Sequence, residues 1–321
     1  MDTLKNMSNC NSETPGNHPH GGAANCPEYG PSLTVPPKKT AAVSAHPISV
    51  QYEEAEWPVI RKSITTIATS HADNAAYQAL QDVSRLTATF EEARVVGGQM
   101  VSLLLHAFPV EGVVPRRTAD ADAAISTEIA ASGDMHTLLS AAGYSAIKGN
   151  HYVKPGTGEE DRAIDLLIPA SGSAFTSQVM GGRGFDAAPG LRLALAAPPI
   201  VIGVNVTLTD DSILDFEVRV PPVEHALILK SYATQTRHES KDYTDLYNLL
   251  SVGFEYRDEP THIGGWKIDD RGSGARGDAA RILHQIADKA RSVREFDAAG
   301  ISRERFVALV RHMVLEHERK H

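Results

Sequence analysis

Cysteine is nearly missing. The 321 residues hold two, Cys10 and Cys26, which excludes a disulfide framework and fits a reducing, cytoplasmic setting. There is no CxxC pair, so these cysteines, with His18 and His20 near them, do not follow the spacing of a zinc site. No uninterrupted apolar run approaches the roughly 18–20 residues of a membrane span. The stretch from Met1 to Pro15 lacks the apolar core of a signal peptide. The sequence thus predicts no membrane partner. Positive charge is also in deficit: 31 Lys and Arg stand against 40 Asp and Glu, a net charge of −9. That excludes a generally basic nucleic-acid-binding coat, though not a local basic patch. The chain shows no internal repeat.

What is present is globular in character. Hydrophobic residues make up 42% and charged residues 22%, and the length suits about two domains of roughly 100–200 residues. Residues 1–48 predict a disordered tail. They carry Pro15, Pro19, Pro27, Pro31, Pro36 and Pro37 with almost no bulky apolar side chains, too little to offset the entropy of ordering. Folded sequence starts near Ser49.

The pattern from there predicts an α+β arrangement, with a mixed sheet at 49–222 and helices at 223–321. Asp73 can cap a helix running to about Glu92. A short strand at 94–96 leads through Gly97–Gly98 into a helix at about 99–106. The next strand lies within 118–125, and a helix follows around 132–142. Residues 163–168 form another strand, and 170–190 read as an irregular Gly- and Ser-rich excursion. Strands at 200–208 and 213–220 flank the turn residues Thr209, Asp210, Asp211 and Ser212 as a hairpin. Pro221–Pro222 ends the second and marks a boundary. The remainder is helical apart from a Gly-rich loop at 264–277.

The chemistry concentrates in Arg116-Arg117-Thr118-Ala119-Asp120-Ala121-Asp122. On a strand, residues i and i+2 share a face about 6–7 Å apart, so Asp120 and Asp122 present two carboxylates side by side. A solvent-facing strand edge would show the same pair. In a cleft, however, both stay ionised only beside a cation. Mg²⁺ suits them, since it takes one or two carboxylates plus waters and substrate phosphates. Asp165 lies within an otherwise apolar strand, where an acid needs a partner or a ligand; Arg162 is the plain alternative. Three carboxylates can serve metal-assisted phosphoryl transfer, two on metal and one activating the attacking hydroxyl. Gly97–Gly98 lets the backbone approach a phosphate at a helix N-terminus, although a tight turn needs the same residues.

Further on, Lys230, Thr234, Arg237 and Lys241 fall on one stripe if 229–246 is a single helix. Alternatively, Ser240 caps a second helix after a loop at His238–Glu239. Either way a basic cluster follows the sheet. The Lys230 ammonium, just past the sheet, is expected to face a solvated cleft.

The order of these pieces resembles the AbiEii-type nucleotidyltransferase toxins, a family of abortive-infection and type IV toxin–antitoxin proteins. The shared pattern is Gly-Gly after a strand, then Arg-x-Thr-x-Asp-x-Asp, a lone strand Asp, and Lys-x6-Arg-x3-Lys-Asp-x2-Asp. It covers about Arg94 to Leu250. The resemblance implies a polymerase-β-like nucleotidyltransferase core followed by a helical domain. It implies Asp120, Asp122 and Asp165 as catalytic and Mg²⁺-binding carboxylates, with an NTP as co-substrate. Nucleotide binding would fall to Gly97, Gly98, Arg117, Thr118, Lys230, Arg237, Lys241, Asp242 and Asp245. It also implies an acceptor, with tRNA the favoured one, and an antitoxin protein as partner. Gly98 stands where such a loop often carries a hydroxyl residue.

Residues 271–321 hold eleven Lys and Arg against seven Asp and Glu. Arg281, Arg291, Arg294, Arg303, Arg305 and Arg311 could follow a phosphate backbone, or make ordinary helix-surface pairs. Two rivals share the core: a non-catalytic nucleotide-binding interaction module, and an aminoglycoside-type small-molecule nucleotidyltransferase.

Overall fold

Less and more exposed residues alternate through IRKSITTI, which forms strand β1 (Ile60–Ile67). The computed structural model describes residues 59–113, 116, 118–156, 160–269 and 273–316. The tail at 1–48, with Cys10 and Cys26, lies outside the described residues, as does Arg117. Helix α1 (His71–Thr87) is capped by Ser70, whose hydroxyl accepts from the Asp73 N–H at 3.1 Å. Asp73 is therefore inside the first turn, and its carboxylate accepts from the Thr69 N–H and hydroxyl at 2.8 and 3.0 Å. The helix also stops short of Glu92. Arg219 takes up the Ala88 and Phe90 carbonyls, satisfying the orphan acceptors of that end.

Strand β2 (Arg94–Val95) leads into α2 (Gly97–Ala107), and β3 (Asp120–Ala124) follows. The single helix predicted around 132–142 is two, α3 (Thr127–Ser132) and α4 (Asp134–Ala141). Gly133, at φ +78°, breaks them apart. Strands β4 (Ser145–Lys148) and β5 (His151–Lys154) come before β6 (Arg162–Pro169).

The supposed excursion at 170–190 is in large part a hairpin, β7 (Thr176–Met180) and β8 (Arg183–Ala188). Gly181 and Gly182, at φ +55° and +77°, supply the two-residue turn that matches strand twist. Helix α5 (Leu191–Ala196) leads to β9 (Ile200–Thr207) and β10 (Ile213–Val220), the hairpin predicted from Thr209 to Ser212. After Val220 the described residues contain helices and no strand: α6 (Val223–Thr236), α7 (Ser240–Glu255), α8 (Ala275–Asp288), α9 (Glu295–Ala299) and α10 (Arg303–Met313).

The architecture is α+β with two sheets. The smaller runs β1-β9-β10, with β1 parallel to β9. The larger is mixed, in the order β2-β3-β6-β5-β4, and β8 joins β6 and carries β7. β3 and β6 run parallel at its centre. Helix α2 lies on β3 and meets α6 and α7, which brings the helices to the sheet at the Gly97 end of α2. Pro221–Pro222 is the change from strands to helices, and the described residues on both sides form one compact unit.

Burial creates one pH-sensitive spot in the helices. Glu224, 2% exposed, accepts from the Lys267 and Ile268 N–H groups and from Arg276 Nε. Beside it His225 is buried, its Nε2 3.1 Å from Arg276 and its Nδ1 without a partner. Burial, then the charges of Arg276 and Lys267, push the His225 imidazole down to about 3. The folded chain thus holds it neutral while the unfolded chain protonates it below about 6.5. Stability from this site is full above pH 6.5 and is lost as pH falls toward 3. Replacing His225 with Leu should flatten that fall. Denaturant midpoints at pH 7.5 and 4.5 should diverge less in the variant, by up to ~2 kcal/mol. Equal divergence would remove His225 as the cause.

Candidate active site

The parallel pairing of β3 with β6 sets Asp122 directly across from Asp165. Alternation does the rest. Ala121 and Ala123 are fully buried on the other face of β3, so Asp122 turns away from that core, and both acids line a cavity of about 520 Å³. Burial first, and then the Asp165 charge, push the Asp122 carboxyl up to about 6; Lys230 acts against this and Asp120 adds to it. Asp120 is exposed at the start of β3, on the same face, beyond the cavity lining.

Gly97 packs on this carboxylate. At φ +68°, a Cβ there would sit 1.8 Å from Asp122 Oδ2. Both the backbone conformation and the space demand glycine. The preceding Val96 N–H donates to the Asp122 carbonyl at 2.9 Å. Gly98 meets a different neighbour: a Cβ would lie 2.2 Å from Thr118 Oγ1. Thr118 is not on the cavity wall. Its hydroxyl accepts from Arg116 at 2.9 Å, and its carbonyl accepts from Gln99 at 3.1 Å. The Thr-x-Asp-x-Asp run is thus pinned under the start of α2.

The basic cluster is two helices, not one stripe. α6 ends at Thr236, Arg237 is extended, and α7 begins at Ser240 with Glu239 as its cap residue. That is the alternative with two helices, except that Ser240 is already the first residue of α7 and Glu239, not Ser240, stands at the cap position. Lys230 differs from its predicted solvated position. Its side chain is 4% exposed, with Nζ 2.7 Å from Asp245 Oδ2 and 3.8 Å from Asp242 Oδ1. Arg116 grips Asp245 with two hydrogen bonds of 2.8 and 2.9 Å. Arg237 grips Asp242 with two of 2.8 and 3.1 Å. The result is a chain of charges, Arg116–Asp245–Lys230–Asp242–Arg237, in which both aspartates are wholly buried. Two acids on α7, one turn apart, hold Lys230 of α6, Arg237 just past its end and Arg116 of the segment before β3. Lys230 and Arg237 still contribute to the cavity wall. Lys241 does not: it is exposed and pairs with Glu239 at 2.6 Å.

Gly97, Asp122, Asp165, Lys230 and Arg237 are therefore brought to one cavity. Asp120, Gly98, Thr118, Lys241, Asp242 and Asp245 stand around or beneath it.

Several residues on or behind the cavity wall went unread in the sequence. His151 on β5 lies across from Asp165, and its Nδ1 is 2.8 Å from Asp165 Oδ1. Asn150, Phe175, Thr176, Ser177 and Asp186 complete the far side. The Gly181–Gly182 pair between two alternating runs was the signal that could have found the last four. His151 has no comparable local signal, since only strand pairing makes it a neighbour of Asp165. Of the basic candidates near the C-terminus, Arg281 pairs with Asp278 and Arg303 with Asp297, as on an ordinary helix surface.

Among the described residues, no three His, Cys, Asp or Glu side chains form a group that could hold a metal ion unaided. A Mg²⁺ site needs less, because waters and substrate phosphates fill most of its six positions. The raised Asp122 carboxyl beside Asp165 fits that demand: the two acids repel each other until a cation joins them. Compared with protein-family models, with curated proteins and with solved structures, the chain matches none.

Proposed function

We propose that the chain is a Mg²⁺-dependent nucleotidyltransferase, moving a nucleoside monophosphate from an NTP to an acceptor hydroxyl. One observation carries this: Asp122 and Asp165 face each other across two parallel strands in a cavity that Gly97, Lys230 and Arg237 also line. Asp120 and Asp122, with Asp165 adjacent, would hold the divalent cation, which would neutralise phosphate charge when bound. Lys230 and Arg237 supply fixed positive charge for the polyphosphate, held in place by Asp242 and Asp245. Gly97, with no side chain, leaves room for the Asp122 carboxylate beside the start of α2. His151 holds Asp165 through one oxygen. The other Asp165 oxygen takes the proton of the acceptor hydroxyl as the hydroxyl oxygen bonds to the α-phosphorus. The bond to the bridging oxygen breaks, and pyrophosphate leaves.

The toxin role, a tRNA acceptor and an antitoxin partner follow from the family resemblance. The test is incubation with each α-labelled NTP, with and without Mg²⁺, beside total RNA, a protein mixture and aminoglycosides. Mg²⁺-dependent label in RNA with pyrophosphate release is the expected result. Label in an aminoglycoside would move the acceptor to a small molecule. Nucleotide binding without pyrophosphate release would leave a binding module.

A further inference from the structure

One wall of the cavity has no part in the transfer step. The edge of β6 that faces away from β3 is shared by β5 and β8, and β8 aligns Asp186 with Leu167. Asp165 and Leu167 are two residues apart on β6, so they share a face. Asp122, Asp165, Leu167 and Asp186 all line the cavity. Acids therefore step across three neighbouring strands about 4.8 Å apart.

The surroundings of Asp186 are polar and only loosely satisfied. Asn150 Nδ2 lies 3.4 Å from Asp186 Oδ2, and Ser177 Oγ lies 3.4 Å from Oδ1. Both are long for hydrogen bonds. Asn150 is firmly placed. It is 9% exposed, and its Nδ2 donates to the Leu166 carbonyl at 2.9 Å. Its Oδ1 accepts no hydrogen bond among the described residues, although the side chain borders the cavity. The Asn150 amide oxygen and the exposed Asp186 carboxylate thus both offer acceptor capacity to the same space. Phe175, 37% exposed, stands on the same wall.

Acceptors of this kind repel phosphate, and the cavity's fixed cations are elsewhere, Lys230 on α6 and Arg237 just past its end. They suit a ligand that donates from adjacent hydroxyls, because a carboxylate can take one hydrogen bond on each oxygen. A carboxylate gripping ribose hydroxyls is a recurrent solution in nucleotide sites. An aromatic ring nearby can stack on a flat base.

We propose that Asp186 and Asn150 form a ribose subsite, which binds the vicinal 2′,3′-hydroxyls of a ribonucleotide held in the cavity. The inference rests on the nucleotidyltransferase function proposed above. The ribose can belong to the NTP or to the 3′-terminal nucleoside of an RNA acceptor, since the chemistry is the same.

The experiment measures equilibrium binding to wild type and to Asp186→Ala in Mg²⁺. One arm uses the four NTPs against their 2′-deoxy and 3′-deoxy forms. The other uses an RNA oligonucleotide against the same strand with a 2′-deoxy or periodate-opened 3′ end. In the arm that supplies the ribose, wild type should favour the intact diol by about 10-fold, the worth of one good hydrogen bond. Asp186→Ala should bring that ratio to within about 2-fold by weakening only the diol form. Asp186 is exposed, so the variant should fold, and an unchanged melting temperature checks this. A wild type that ignores loss of the diol in both arms overturns the subsite. So does a preference that survives in Asp186→Ala. If such a protein still transfers label from an NTP, the ribose subsite alone falls. A wild type that binds neither NTP nor RNA removes both the subsite and the transfer function.

Discussion

Asp122→Asn is expected to abolish nucleotide transfer while making the metal-free protein more stable. The Asp122 carboxyl is raised to about 6 by burial and by Asp165, so the folded chain resists its ionisation. The sign follows from linkage. A carboxyl raised above its unfolded value, near 3.9, costs nothing below that pH and costs most above pH 6. The stability gain of the variant should therefore be absent near pH 3.5, grow between about 4 and 6, and persist at pH 7.5. Two pH units correspond to about 2.7 kcal/mol, and partial solvent exposure reduces this to about 1–2 kcal/mol. Mg²⁺ should raise the melting temperature of wild type and not of the variant. Transfer should fall by on the order of 10²-fold or more, because the developing phosphate charge loses its counter-ion. Melting curves across pH, with and without Mg²⁺, beside the labelling assay, read all of this. Full activity in Asp122→Asn would end the nucleotidyltransferase proposal. A variant that is less stable at pH 7.5 would show that burial of this carboxylate is compensated by something other than a cation.

The second large effect is in the buried ion chain. Asp245→Ala should cost about 3–5 kcal/mol, because it takes the closest partner from buried Lys230 and both hydrogen bonds from the Arg116 grip. Lys230→Ala should also destabilise, since it leaves Asp245 and Asp242 short of a cation. This reverses what the sequence predicts for a lysine facing a solvated cleft. Lys230→Met, which fills the volume without the charge, tests whether the loss is packing or pairing. Lys241→Ala should leave stability unchanged, because its partner Glu239 is in open water. Urea denaturation of the four variants is the check. Asp245→Ala as stable as wild type would mean that the network contributes no net free energy, and that Lys230 is free to bind ligand without loss to the fold.

The two effects arise from the same design problem. A cavity that takes a polyphosphate, as proposed for this one, needs carboxylates and cations close together, without collapse into mutual neutralisation. Here the cations are tied to aspartates from behind, on α7, while among the described residues Asp122 and Asp165 have no Lys or Arg in an ion pair with them, and His151 Nδ1 lies 2.8 Å from Asp165. Holding Lys230 and Arg237 from behind keeps them in register with the cavity before any ligand arrives, which lowers the reorganisation needed on binding.

Much of the secondary structure was legible because its signals are local. The Thr209–Ser212 turn between two β-rich runs, the strand around Asp165 and the change to helices at Pro221–Pro222 all depend on residues within a few positions of each other. The i, i+2 spacing of Asp120 and Asp122 likewise announced a shared strand face. Local errors had local causes. Ser70 outcompeted Asp73 as a cap because its hydroxyl reaches the Asp73 N–H. Gly and Ser content around 170–190 masked a hairpin whose two glycines were its turn.

What the sequence by itself determined was thus the α+β order and a set of chemically suited residues: two acids at strand spacing, a glycine pair before a helix, and cations followed by acids. Only the tertiary structure decided which of them meet. Asp122 and Asp165 are opposite because β3 and β6 pair in one parallel register, and a slip by one residue would turn either acid to the other face. His151 and Asp186 join through strands that border β6 on its other edge. Lys230 is buried because α7 folds back against α6 and sets two aspartates beneath it. Each of these contacts depends on pairing between distant segments, whose free energy comes from burying a whole face at once, and no short stretch of residues carries that information.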